Sequence, residues 1–473
     1  MLPGPPESTE GNAQSSATVS LASRATMPAT LALGVPAVLA FANSLVAIRL
    51  RLGPGASIGG AWEYQGAARS LLAGDGIPRD ASLLWGFHPP LYSVFIAAVW
   101  KVLGVHIGPI FVAQAVLFAF TAALLARITM MVTGRVSLAL LAGVLFSFDP
   151  LALSQVHTIE AEPLEMFLLV LAVLLLLRAV MRIGPGSHHL RDVVLAGAVL
   201  GLATLARDVA AFIALALALA LVVWWLLRDQ RAKIRWGLPL AMVAAVCLVI
   251  APWTVLNWRA TGDFIPVSTL GGFNLWLGNN PATLRALRGP FPTQAAVDDY
   301  NQYLQVTLPT QQMRAWGPRY LAATTGDRQG YWLAAALREM ERHPLTTAKL
   351  WAYKTWEFWR PWLQPMAYSH REVLGSQLVE VPLYVFAMVG LVALFRRKAA
   401  RPFLALVAAV ALASSLVSTV SNSTVRYRIP TVDPYLYVLG AIGLAATVLW
   451  LRRTRGLRGE RRIAGVRSDA TSG

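Results

Sequence analysis

Ten apolar runs, most of them close to twenty residues long and joined by short Arg-rich connections, leave this sequence few folds to choose from. They cover roughly 28–50, 107–131, 136–155, 164–182, 192–206, 209–227, 236–256, 378–395, 402–419 and 433–451. A helix of about 17–25 apolar residues crosses the hydrocarbon layer of a membrane, and it satisfies its own backbone polar groups where no water can. The rest of the composition agrees: 56% of residues are hydrophobic and 14% charged, where a soluble chain carries about a quarter charged. A soluble enzyme and a disordered protein are both excluded, and with Cys247 as the single cysteine so is a disulfide scaffold. The fold class expected is an all-α polytopic membrane protein.

A net charge of +17 raises the question of nucleic acid, and the positions of the charges answer it. Arg and Lys gather at the ends of apolar runs and form no basic face with interleaved aromatics. They follow the rule that cytoplasmic connections are basic. The apolar stretch 89–104 opens with Pro89-Pro90, carries Lys101 and is too short to span, so it reads as interfacial. With it left out of the count, Arg127/Arg135, Arg178/Arg182/Arg191, Arg228/Arg231/Lys233/Arg235, Arg396/Arg397/Lys398 and the tail from Arg452 all fall on the cytoplasmic side. The expectation is ten spans with both termini inside; Arg49 and Arg51 are the charges that run against it.

This topology divides the chain into a disordered cytoplasmic tail, 1–27, rich in Ser, Thr, Ala, Pro and Gly, and an N-terminal transmembrane module, 28–256, whose first outer loop is 51–106. An extracytoplasmic cap with an interfacial helix follows at 257–377, then C-terminal transmembrane helices at 378–451 and a basic cytoplasmic tail at 452–473. The cap ends in an aromatic stretch from Leu350 to Trp362, where Trp and Phe recur at near-helical spacing between basic residues, as in a helix seated in the headgroup layer or an aromatic belt that anchors the cap.

No metal signature, phosphate-binding Gly loop or hydrolase elbow occurs. Chemistry is left to acids, arginines and amides at the outer ends of the spans, where ionisable groups are costly and therefore informative. They come as Trp62-Glu63-Tyr64 with Ala67-Ala68-Arg69 behind it, Phe87-His88-Pro89-Pro90-Leu91-Tyr92, Asp149-Pro150 followed by Glu160-Ala161-Glu162-Pro163, Pro252-Trp253 with Asn257, Gly278-Asn279-Asn280-Pro281, and Arg426-Tyr427-Arg428-Ile429-Pro430. Arg207 and Asp208, at a tight outer turn, read as a structural pair.

In that order, over about residues 50–450, these elements resemble the GT-C polyprenyl-phosphate-sugar glycosyltransferases, in the branch similar to dolichyl-phosphate-mannose protein mannosyltransferases and bacterial aminoarabinose transferases. The resemblance implies a GT-C-like bundle of about ten spans with interfacial helices in the first outer loop and a small extracytoplasmic cap. It implies a multi-pass protein of the cell (inner or plasma) membrane that moves a sugar from a polyprenyl-phosphate donor to an extracytoplasmic acceptor: a glycan, a lipid or a protein. Glu162 is the carboxylate matched to catalysis, and Glu63 is the first-loop acid nearest to the position of the family's base, ahead of Asp75 and Asp80; Arg426 and Arg428 are matched to the lipid phosphate. His88, Tyr92, Tyr64 and Asn257 complete the expected substrate contacts. No metal ligands are assigned, and a divalent-metal requirement is left open. One departure stands out: an Asp three or four residues before Tyr64 is usual in the family, and here those positions are Ala61 and Gly60. Two other readings follow from the residues: a catalytically impaired relative that binds lipid-linked sugars, and a transporter or flippase. Transport would call for broken helices and midplane charges, and few midplane charges are present.

Overall fold

The computed structural model describes residues 11–51, 62–77, 88–181, 188–228, 237–288, 294–365 and 368–469. Gly60, Ala61, Asp80, Phe87 and the basic cluster Arg231/Lys233/Arg235 lie outside the described residues, as do the first ten and last four residues. Among the described residues nine helices are long and apolar enough to cross a membrane, and a bent pair makes a tenth when it is counted as one span.

The chain enters through α1 (Gly11–Arg51), whose apolar stretch is Ala29–Leu50. Two short helices follow at one end of the bundle, α2 (Trp62–Ala73) and α3 (Leu91–Leu103). At 13 residues α3 is too short to span, as Pro89-Pro90 and Lys101 led one to expect. Arg69 of α2 lies over the ring of Trp100 in α3, so the pair packs as a unit. The next spans are α4 (Ile107–Thr133), then α5 (Val136–Ser147) with α6 (Pro150–Val156), α7 (Glu162–Met181), α8 (His188–Ala206), α9 (Val209–Arg228) and α10 (Gly237–Thr261).

The run 136–155 is not one straight helix. It bends by 58° between α5 and α6, at Phe148-Asp149-Pro150. Pro150 lacks the N–H that would continue α5 and its fixed φ suits a helix start, while Asp149 Oδ1 accepts from the N–H groups of Leu151 and Ala152 as an N-cap. A new helix therefore begins where the old one would have gone on, and the chain continues through 157–161 into α7 with Ile159 and Ala161 still buried in the main core.

The cap consists of α11 (Gly271–Gly278), α12 (Pro281–Arg288), α13 (Gln294–Gln302), α14 (Leu308–Trp316), α15 (Pro318–Ala322), α16 (Thr325–Arg342) and α17 (Pro344–Trp359). Phe273, Trp276, Tyr320 and Trp332 pack into a small aromatic core of its own. Three helices complete the bundle, α18 (His370–Phe395), α19 (Arg401–Val420) and α21 (Asp433–Asp469), with the single turn α20 (Val425–Arg428) between the last two. Helices α18 and α21 meet through Gly390 and Gly443. A Cβ on either would strike the other helix's backbone, the close approach that small residues allow where no hydrophobic effect drives helix pairing.

Lys354 ties cap to bundle. Its ammonium is buried and donates to the carbonyls of Gly278, Val420 and Ser421 at 3.1, 3.3 and 2.7 Å and to Asn279 Oδ1 at 3.2 Å. It thereby satisfies the open carbonyl end of α19, and Gly278 sits so close to the Ser421 carbonyl that no side chain fits there. Replacing Lys354 with Met leaves the carbonyls of Gly278 and Ser421 without their described donor, while Trp351 and Asn279 still serve Asn279 Oδ1 and the Val420 carbonyl. At about 1–3 kcal/mol for a buried group left unpaired, the K354M variant is expected to lose several kcal/mol and to release the cap. A fall in thermal midpoint together with new protease cleavage in 257–377 would register this; an unchanged midpoint would contradict it.

Candidate active site

The expected outer-end residues gather at one end of the bundle, although they arise from segments hundreds of residues apart. Glu162 opens α7, where a carboxylate faces the positive end of the helix dipole, and Glu165 lies one turn on. Facing them is Arg426 from α20. Its Nη2 lies 2.6 Å from Glu160 Oε2 and its Nε donates to Glu162 Oε1. From the turn between α8 and α9, Arg207 reaches the same carboxylates, with Nη1 2.9 Å from Glu165 Oε2 and 3.4 Å from Glu162 Oε1. The Arg207 guanidinium also lies over the Tyr427 ring, 5.0 Å from its centroid.

Exposure separates these groups. The Glu162 side chain is 1% exposed, that of Glu160 20% and that of Arg426 41%. A carboxylate as deep as Glu162 stays ionised only with paired cations around it, and two guanidiniums supply them. Arg426 is different, since one face of its fork holds the acids and the rest is open. Burial and the adjacent Glu162 push the Glu160 carboxyl above the ordinary carboxylate range, against the pull of Arg426.

Helices α2 and α3 form the wall beside this cluster. Tyr64 packs edge-on against Tyr92 with centroids 5.0 Å apart, and against His88 at 5.0 Å. Burial, reinforced by Glu160 and Glu162, holds the Tyr64 phenol protonated well above its usual range. Tyr92 donates to Gln114 Oε1 at 2.5 Å, and Gln114 Nε2 donates to the carbonyls of Val156 and Thr158, each at 2.8 Å. Through Gln114, therefore, Tyr92 fixes the segment that carries Glu160. Burial pushes the His88 imidazole below its ordinary value, while Glu63 and Asp208 pull it the other way. Glu63 is thus a neighbour of His88. Among the described residues no hydrogen bond or ion pair joins it to Glu162.

Three sequence expectations change. Arg428, matched with Arg426 to the phosphate, turns the opposite way, and its side chain has no exposed surface. Its Nε and Nη2 grip Asp433 at 2.6 and 3.2 Å, and its Nη1 donates to the carbonyls of Phe358 and Arg360 at 3.1 and 2.5 Å. Two residues apart on one helical turn, the two arginines are directed to different sides. Asn257 is buried and donates to the Ile265 carbonyl at 3.1 Å, closing the turn after α10. Arg207 and Asp208 do not pair with each other: Arg207 turns to Glu162 and Glu165, and Asp208 accepts from Ser268 Oγ at 2.7 Å.

Glu160 and Arg207, like Glu165, are members of the cluster to which the sequence reading gave no catalytic or binding role. Their visible signal was a second acid two residues before Glu162 and a basic residue at an outer turn. Among the described residues, no group of three or more His, Cys, Asp or Glu side chains is placed to hold a metal ion.

Residues 87–258, from just before α3 to the last turn of α10, match the family model described as dolichyl-phosphate-mannose-protein mannosyltransferase. No curated protein sequence matches the chain. Among solved structures it is similar to the archaeal oligosaccharyltransferase AglB from Archaeoglobus fulgidus in complex with an inhibitory peptide and a dolichol-phosphate, at 15% identity and a TM-score of 0.52 over 90% of this chain and 52% of that one. The apo form of the same oligosaccharyltransferase gives 16% identity and a TM-score of 0.53 over the same shares. ArnT from Cupriavidus metallidurans bound to undecaprenyl phosphate aligns at 16% identity and a TM-score of 0.37 over 86% of this chain and 78% of that one. The chain spans about half the length of the oligosaccharyltransferase it matches. The family match thus covers just over a third of the chain, and the likeness to the oligosaccharyltransferase is one of membrane fold, shared over nine-tenths of this chain's length.

Proposed function

We propose that this protein transfers a sugar from a polyprenyl-phosphate donor to an acceptor on the extracytoplasmic side of the membrane. The observation that carries this reading is Arg426, a guanidinium 41% exposed at the lip of a carboxylate cluster that the start of α7, the turn between α8 and α9, and the single turn α20 hold at one end of the bundle. A guanidinium fork matches phosphate geometry, and a cation at this height meets a lipid headgroup whose tail lies among the helices. Arg426 holds the donor phosphate and stabilises the charge that develops as the sugar leaves. Glu162 and Arg207 position Arg426 from below, while Tyr64, Tyr92, His88 and Glu63 flank the space beside it. The basic connections at the opposite end of the bundle support an outward-facing site. That a dolichol-phosphate binds the similar oligosaccharyltransferase supports the choice of a lipid-phosphate donor; the acceptor is a glycan, lipid or protein.

The test is purified protein in lipid, offered a panel of polyprenyl-phosphate sugars with cell-envelope acceptors, with release of free polyprenyl phosphate as the readout. Release with at least one donor, dependent on acceptor, is expected. Binding of undecaprenyl phosphate without turnover of any donor would favour the impaired relative, and no binding at all would remove the proposal.

A further inference from the structure

The donor phosphate has to reach Arg426, yet the edge of that guanidinium made by Nε and Nη2, the one that would grip a phosphate side-on with two hydrogen bonds, already holds both carboxylates. The two are not equivalent. Glu162 is sealed, sits at the start of a spanning helix and is held by Arg207 as well. Glu160 lies in the bent connection between α6 and α7, is 20% exposed, and has Arg426 as its one described ion-pair partner. Of the two, only Glu160 can leave without stranding a buried charge.

On the reading that the site transfers a phosphate-linked sugar, we propose that Glu160 occupies Arg426 in the empty site, is displaced from it by the donor's phosphate, and then serves as the base that takes the acceptor's proton. The exchange conserves charge at Arg426, because the donor is a phosphodiester monoanion and replaces a carboxylate. In the transfer the acceptor oxygen forms its bond to C1, the C1–O bond to phosphate breaks with its electron pair going to the phosphate oxygen, and the hydroxyl proton passes to Glu160. The product phosphate then carries one more negative charge and Glu160 one fewer, so the protonated acid cannot compete for Arg426. Once Glu160 gives up the proton, it retakes the guanidinium and expels the product. A carboxyl raised above its ordinary range by burial suits proton acceptance at neutral pH. This residue also supplies an acid next to the site, where the first loop has Gly60 and Ala61 in the positions of the usual Asp.

Glu160→Gln separates the two halves of the proposal. The amide is nearly isosteric and carries no charge, so it yields Arg426 readily and cannot accept the proton. The thermal midpoint should be unchanged. Undecaprenyl phosphate should bind about two- to fivefold more tightly than to the wild type, the weight of one partly exposed ion pair, while kcat with the wild type's preferred donor falls about 10²- to 10⁴-fold. Tighter binding with slower turnover is a split that a purely structural Glu160 would not give. Weaker binding overturns the displacement, and unchanged kcat overturns the base. Should the wild type turn over no donor, the glycosyltransferase reading fails, and the binding arm alone still decides whether Glu160 competes with phosphate.

Discussion

Alanine at position 428 is expected to cost the protein its fold. Arg428 is fully buried, grips Asp433 with two nitrogens and donates to two carbonyls at the end of α17. Removing it leaves the Asp433 carboxylate unpaired in an apolar setting, next to Asp149 and Glu380, and breaking one partner of such a buried pair costs about 3–5 kcal/mol. The variant should insert in the membrane yet show a much lower thermal midpoint in detergent and poor yield. Removing both charges in R428M/D433L should restore much of the loss, since a buried pair replaced by apolar groups is often neutral. If R428A is as stable as the wild type but fails to bind lipid phosphate, the assignment of Arg428 to structure is wrong.

Alanine at 426 should behave in the opposite way. Its side chain is 41% exposed and Glu162 keeps Arg207 as a partner, so R426A is expected to fold with little change in thermal midpoint. Loss of one charge-assisted contact should weaken undecaprenyl phosphate binding about 10- to 100-fold. Turnover should drop further, by about 10²- to 10³-fold, because the charge Arg426 meets grows as the leaving phosphate departs. Lysine restores charge without the fork, so R426K should recover part of the binding and less of the rate. Equal binding by R426A and the wild type would move the phosphate site elsewhere.

Much of the architecture was legible because it follows from one-dimensional rules. The apolar runs had the length a span needs, Pro89-Pro90 and Lys101 kept α3 short, and the basic residues fell at one set of helix ends. The bend between α5 and α6 was written in Asp149-Pro150, a cap followed by a residue that cannot continue a helix. It went unread because hydropathy is blind to backbone hydrogen bonding. The clamp at Lys354 was equally hidden: in an aromatic stretch this lysine looks interfacial, and its four oxygen partners come from α11, its C-terminal neighbour Asn279 and the end of α19.

Chain order alone determined that this is a polytopic helical protein and that acids and arginines would collect at helix ends. It did so because the cost of polar groups in hydrocarbon acts on each residue wherever it sits in the fold. The tertiary structure alone decided which arginine of Arg426-Tyr427-Arg428 faces the open end, which of Glu160 and Glu162 is sealed, and that Arg207 abandons Asp208 for the acids of α7. Those outcomes depend on the direction in which a single turn presents its side chains and on what partners lie within about 3 Å of each, and neither quantity is carried by spacing along the chain.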